Sequence, residues 1–305
     1  METMSLPNKV VIREVGPRDG LQNEKQLLST ADKIKFIQLL VKTGLKNIEA
    51  TSFVNPKAVP QMSDAGELWK LLSITSDVNF SALAFNLNGV KRAIQAGVKT
   101  VVVNVSASET MNLRHSNKTR KESLREMEEI LNFAAKENTI TRIDLSMVFG
   151  CPIEGKLNID QISFMVENLL KMGIREITLA DSAGLGNPRQ VYEICREIRN
   201  RYPQGEFGLH IHDTKGLGMP NVLAGIQAGF EIIETSVGGL GGCPFIHNAA
   251  GNVATEDVVY MLHEMGLDTG ISFPCLLDAG YYISGILGRN LVSRQSEICL
   301  GQIKG

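Results

Sequence analysis

The chain has 305 residues, of which 43% are hydrophobic and 21% charged, with a formal net charge of -2. That is the balance of an ordinary globular protein; it leaves no basic field to hold nucleic acid or an anionic membrane, and no apolar run reaches the length of a membrane span. The five cysteines are scattered without a Cys-x-x-Cys pair, which argues for reduced thiols and against a disulfide framework or a structural zinc site.

The start, Met1 to Pro7, lacks the charged-then-apolar layout of a signal segment and the Arg-rich character of a transit segment, so a cytoplasmic location is expected. From there apolar runs of strand length alternate with segments of helical apolar spacing. Strands are expected at 10–15, 46–51, 78–84, 100–106, 142–149, 175–180, 207–212 and 231–236. Helices are expected at 31–43, 60–74, 88–96, 120–138, 158–172, 188–201, 219–228 and 254–265. Eight βα units without a Pro/Ser-rich linker imply an α/β fold, a closed (β/α)8 TIM barrel; a doubly wound open sheet is the weaker choice. The whole chain, 1–305, is read as one catalytic barrel domain. Residues from about 268, with a helical pattern at 274–287, form a short C-terminal helical appendage.

Barrel enzymes carry their chemistry at the C-terminal ends of strands. The first such end reads Gly16-Pro17-Arg18-Asp19-Gly20. The second strand carries Glu49 in apolar company, a carboxylate that needs a partner such as Arg18 or a metal-bound water. The sixth ends in Asp181-Ser182. The seventh carries His210 and His212, two residues apart and therefore on one face, a ready pair of metal ligands. The eighth runs into Gly238-Gly239-Leu240-Gly241-Gly242-Cys243-Pro244, and Asn252 follows where the last barrel helix begins.

Strands 1, 7 and 8 are neighbours in a closed barrel. Asp19, His210, His212 and Asn252 can then meet around one cation, a mixed nitrogen and oxygen set that suits Mg²⁺ or Mn²⁺. Each also has a plainer reading. The histidines could be hydrogen-bonded core residues, Asp19 a turn carboxylate and Asn252 a helix N-cap. Arg18 could be a solvated loop charge, or could hold a substrate carbonyl oxygen as negative charge develops there. Glu49 could be a structural salt bridge. The glycine-dense loop could cradle phosphate, or move Cys243 into the site as a general acid. His115, His247 and His263 read as surface or loop residues.

The stretches Gly16 to Glu24, Glu49 to Phe53, His210 to Thr214, Gly238 to Phe245 and Gly251-Asn252 together resemble the 3-hydroxy-3-methylglutaryl-CoA lyase family of barrel metallolyases. The resemblance spans nearly the whole barrel. The Arg-Asp-Gly and His-x-His pieces are shared with isopropylmalate and homocitrate synthases, whereas the Gly-Gly-Cys-Pro loop sets the lyases apart. It implies an acyl-CoA substrate, cleaved to acetyl-CoA and acetoacetate with Mg²⁺ or Mn²⁺, and a homodimer as the assembly. It also implies roles: Asp19, His210, His212 and Asn252 hold the cation, and Arg18 binds substrate and stabilises the enolate. Cys243 and His210 move protons, and Glu49 and Asp181 support them. Phe245, Ile246, His247 and Asn248 depart from the family's loop pattern, as Lys215 does after His-x-His-Asp-Thr, which bears on loop movement and acyl preference. Two other readings are a Claisen-type acyltransferase joining acetyl-CoA to a 2-oxo acid, and a noncatalytic metal- or acyl-CoA-binding barrel.

Overall fold

A computed structural model describes residues 6–72, 77–242 and 250–303. Eight parallel strands close in sequence order, β1 (Val11–Glu14), β2 (Asn47–Ser52), β3 (Asn79–Ala84), β4 (Thr100–Ser106), β5 (Ile140–Ser146), β6 (Glu176–Asp181), β7 (Glu206–Ile211) and β8 (Ile232–Thr235), with β1 pairing β8. The barrel is the fold expected from the alternation of runs. β-Branched residues dominate, as in Thr100-Val101-Val102-Val103, because such side chains fit a pleated buried surface.

The helices are α1 (Thr30–Lys42), α2 (Ala65–Leu72), α3 (Leu87–Gln95), α4 (Glu109–Ser116), α5 (Arg120–Lys136), α6 (Ile159–Lys171), α7 (Pro188–Arg201), α8 (Gly218–Gln227), α9 (Thr255–Glu264), α10 (Phe273–Leu287) and α11 (Arg294–Ile303). Their apolar stripes pack on the outer barrel wall; Phe36, Ile37 and Leu40 of α1 are fully buried. Beyond residue 268, α10 buries Leu276, Ala279, Ile283 and Leu287, lying against α1 and α9. Among the described residues no helix is long and apolar enough to cross a membrane.

Three departures from the expected elements have physical causes. The helix expected at 60–74 is a short turn at Pro60–Met62 followed by α2. α4 was not expected: it has eight residues and buries only Met111 and Asn112, so its apolar signal is weak, and it owes its start to the Ser108 side chain accepting from Met111 N. β5 ends at Ser146, not 149, because Met147 takes a left-handed φ of 62° and turns the apolar Met147-Val148-Phe149 run inward as a buried loop.

The wall outside is apolar, but the interior is charged. Arg13 and Arg142 both pair with Glu176, at 2.5 and 2.6 Å. Arg142 reaches Glu234 at 3.0 Å, and Thr178 donates to the same carboxylate at 3.1 Å. Buried charges are held only when paired, so this ladder forms a polar floor under the strand ends.

Candidate active site and metal cluster

After β1 the chain makes one wide turn over Gly16–Gly20, in which the amides of Arg18, Asp19 and Gly20 all donate to Val15 O. The turn packs under the loop after β8. A Cβ on Gly20 would stand 2.7 Å from Ser236 Oγ and 2.9 Å from Leu240 Cβ, so the sequence needs glycine there for close approach. The turn thereby aims Arg18 and Asp19 inward, both nearly fully buried.

Asp19 faces the histidines. His210 Nε2 and His212 Nε2 are 3.1 Å apart, and Asp19 Oδ2 lies 3.9 and 3.6 Å from them. Asp19, His210 and His212 form a buried group whose ligand atoms all lie within 4.8 Å of one another. Asn252 joins them because residues after 250 run back along β7: Asp213 N donates to Gly251 O and Val253 N to Ile211 O, each at 3.0 Å, bridging His212 to Asn252. Asn252 Nδ2 donates to Asp19 Oδ2 at 2.8 Å and to Leu240 O at 3.0 Å. The helix N-cap reading of Asn252 is therefore corrected: Ala254 is the N-cap of α9.

These four residues fit a divalent cation. Two imidazole nitrogens facing each other across 3.1 Å share no second proton if each offers a lone pair, and a cation between them relieves that opposition. Adjacent ligands of an octahedral ion bound at about 2.1 Å are about 3 Å apart, close to the observed spacing. Asn252 Oδ1 is a buried acceptor without a hydrogen-bond partner among the described residues, and it is the atom an asparagine ligand would offer.

Arg18 is gripped from two sides. Its Nε donates to Glu49 Oε1 and its Nη1 to Asp19 Oδ1, the latter at 2.5 Å. Glu49 sits at a register irregularity of β2, between Glu49 and Thr51, a feature that re-aims side chains at barrel rims. Burial raises the Glu49 carboxyl despite the Arg18 charge beside it. Burial would raise Asp19 as well, but the Arg18 charge and the two histidines outweigh it and hold Asp19 well below the usual carboxylate range. For Arg18, burial works against the charge, and the neighbouring carboxylates, Glu49 first and then Asp19, more than restore it.

His210 is oriented from behind, with Nδ1 3.1 Å from Glu234 Oε2. Burial alone would lower its pKa; the Glu234 hydrogen bond and the Asp19 charge outweigh it, and the net shift is upward. With Nδ1 on Glu234 and Nε2 in the ligand group, neither ring nitrogen is free to move a proton while Nε2 serves as a ligand. Asp181 turns away from the group: its two oxygens accept from Leu185 N at 3.0 Å and Gly186 N at 2.9 Å, so it shapes the loop after β6 and does not line the cavity. Cys243, with Pro244, Phe245, Ile246, His247 and Asn248, lies outside the described residues.

Arg18, Asp19, His210 and His212 line one cavity of about 410 Å³ at the C-terminal rim of the barrel, roofed by Gln22, Asn23 and Gly242. Gln22 Nε2 donates to Asp19 Oδ1 at 2.7 Å, and Asn23 Nδ2 donates to Gly242 O at 2.9 Å, tying the turn to the start of the glycine loop. His115 is exposed, as expected of a surface residue, on α4, and it lines the cavity mouth beside Arg114. The sequence reading missed Asp144 on β5 and Glu234 on β8. Both are buried carboxylates on barrel strands next to apolar residues, the signal that singled out Glu49.

Residues 9–283 match the HMGL-like family. The chain is 42% identical to hydroxymethylglutaryl-CoA lyase of Bacillus subtilis over 97% of this chain and 99% of that one. It is 40% identical to human mitochondrial hydroxymethylglutaryl-CoA lyase over 96% of this chain and 90% of that one. Among solved structures, an HMG-CoA lyase of Acinetobacter baumannii in complex with coenzyme A and 3-methylmalate superposes with a TM-score of 0.91 at 36% identity, covering 97% of this chain and 96% of that one.

Proposed function

The chain belongs to the HMGL-like family, and from that premise we propose that it is a divalent-metal-dependent carbon–carbon lyase cleaving 3-hydroxy-3-methylglutaryl-CoA to acetyl-CoA and acetoacetate. The observation that carries the reading is the burial of Asp19, His210 and His212 as one ligand group beside Arg18 in a single cavity. Asp19, His210, His212 and Asn252 would hold the cation, Mg²⁺ or Mn²⁺ by the hardness of the set. When bound, it supplies Lewis-acid polarisation of the substrate's hydroxyl and carboxylate oxygens.

The chain's own groups supply the rest. Loss of the hydroxyl proton to solvent turns the C3–O bond into a carbonyl as the C2–C3 bond breaks, and its electron pair passes to the thioester as an acetyl-CoA enolate. A solvent proton restores the Cys243 thiol after that thiol has protonated the enolate carbon. Arg18, fixed by Glu49 and Asp19, presents Nη2 to the enolate oxygen. Such preorganised charge favours the transition state over the ground state. The enolate carbon then takes a proton, which we assign to the Cys243 thiol rather than to His210, whose nitrogens are committed. Asp181 acts as a supporting residue through its loop.

The catalytic unit in this reading is the barrel over 1–305 with its C-terminal helices, a cytoplasmic homodimer. Incubation with 3-hydroxy-3-methylglutaryl-CoA and Mg²⁺ or Mn²⁺ tests the activity: acetoacetate appears with the metal and not with excess chelator. Failure to form acetoacetate under any metal overturns it.

A further inference from the structure

We propose that Asp144 is a catalytic residue that shares the thioester carbonyl oxygen with Arg18, giving the developing enolate two hydrogen-bond donors instead of one. The identity of that oxygen rests on the lyase reading above.

Asp144 stands on β5, 5% exposed, and lines the same cavity as Arg18 and the histidines. It is outside the Asp19, His210 and His212 ligand group. Its Oδ1 is buried and has no hydrogen-bond partner among the described residues. Its Oδ2 lies 3.8 Å from Arg18 Nη2, too far for a hydrogen bond. The other nitrogens of the guanidinium that face carboxylates are already taken, Nε by Glu49 and Nη1 by Asp19. Asp144 is therefore not needed to anchor Arg18. Two donor atoms 3.8 Å apart can both reach one oxygen placed at about 2.8 Å from each, and both residues line the cavity.

The charge state agrees with that geometry. The groups acting on Asp144 are Glu234 on β8, Glu49 on β2, Arg142 on its own strand and Arg18 from the turn after β1. Burial, reinforced by Glu234 and Glu49, pushes its carboxyl well above the usual range against the pull of the two arginines. A protonated carboxyl carries an O–H donor; an ionised one would repel the enolate and dilute the Arg18 charge. An acid kept neutral in a buried site can serve an oxyanion in this way.

The test compares Asp144→Ala and Asp144→Asn with wild type in the full-length, Mn²⁺-loaded protein. Two reactions are followed: cleavage of 3-hydroxy-3-methylglutaryl-CoA, and exchange of the acetyl-CoA methyl protons in D₂O by NMR, which reads enolate formation without cleavage. Asp144→Ala is expected to lower kcat and the exchange rate by about 10²–10³, the scale for one lost oxyanion donor, with KM changed only a few-fold. Asp144→Asn keeps an N–H donor and is expected within about ten-fold of wild type on the same scale. Mn²⁺ affinity, read by EPR, is expected to be unchanged in both. Wild-type rates in Asp144→Ala, equal losses in Asp144→Asn and Asp144→Ala, or loss of Mn²⁺ binding in both variants overturn the proposal. Wild type that exchanges acetyl-CoA but does not cleave, with the same variant pattern, supports Asp144 while overturning the substrate reading. Wild type inert in both reactions overturns the two together.

Discussion

Glu234 Oε2 lies 3.1 Å from His210 Nδ1, at the point where the charged floor of the barrel meets the ligand group. Glu234 also takes Arg142 and Thr178, so the imidazole is locked from below with Nε2 aimed at Asp19 and His212. Partners of this kind fix the ring orientation and raise ligand basicity.

The first prediction follows from that contact. Glu234→Gln is expected to weaken Mn²⁺ binding by about 10- to 100-fold, the usual cost of losing a supporting partner. His212→Ala, which removes a ligand, should weaken it at least as much. EPR titration of free Mn²⁺ measures both; wild-type affinity in His212→Ala would remove that residue from the ligand set.

Arg18 gives the second. Arg18→Met or Arg18→Gln is expected to lower kcat by about 10²–10³ or more. KM should change much less, because the interaction strengthens mainly in the transition state. Steady-state kinetics decides it: a large rise in KM with kcat intact would make Arg18 a binding residue only.

How far was this site readable from sequence? The Arg18-Asp19 and His210-x-His212 pairs stood out because strand periodicity puts the histidines on one face and glycines flank the turn. Asn252 was legible as a residue but not as a geometry, since nothing local says that 250–254 folds back along β7. Asp144 and Glu234 carried the same signal as Glu49, a charge amid apolar neighbours, but their partners lie across the barrel and are set only by closure and register. The strands were found to within a few residues because inner and outer faces are both buried. α4 was missed because a helix that buries two residues leaves little periodicity.

Glu14 carries a third prediction, on stability against pH. Its Oε1 accepts from Gly16 N and Val237 N, and its Oε2 from Thr255 Oγ1. Burial still pushes its carboxyl up to about 8. The unfolded chain releases this proton near pH 4.5 while the folded chain keeps it, so the stability it contributes is present at low pH and is lost as pH rises toward about 8. Glu256, pushed to about 7 by burial, acts in the same direction. Melting temperatures of Glu14→Gln should therefore fall less than those of wild type between pH 5 and 8, with calorimetry as the readout. Parallel curves would mean that Glu14 is ionised when folded.

The fourth concerns the Cys243 thiol. An alkylating reagent is expected to inactivate the enzyme at Cys243, with substrate slowing the reaction. Cys151 lies beyond β5, buried, with Sγ accepting from Ser108 Oγ at 3.2 Å, and Cys195 is buried with its thiol pushed well up by burial. Neither thiol is exposed, so Cys275 and Cys299, both half-buried, are the competing positions. Peptide mapping after partial inactivation locates the label. Cys243→Ser should bind Mn²⁺ normally and turn over slowly, because a hydroxyl is a much weaker acid than a thiol of pKa about 8.5; wild-type turnover in that variant would leave the proton donor to be found elsewhere.

Product stoichiometry separates a lyase from an acyltransferase at this site. Purified protein, stripped of metal and reloaded with Mg²⁺ or Mn²⁺, is given 3-hydroxy-3-methylglutaryl-CoA, and acetyl-CoA and acetoacetate are quantified together. A lyase forms one acetoacetate for each acetyl-CoA, none from the stripped protein, and consumes no acetyl-CoA when 2-oxo acids are offered instead. Free coenzyme A without acetoacetate, or condensation of acetyl-CoA with a 2-oxo acid at the same metal, would contradict the lyase reading.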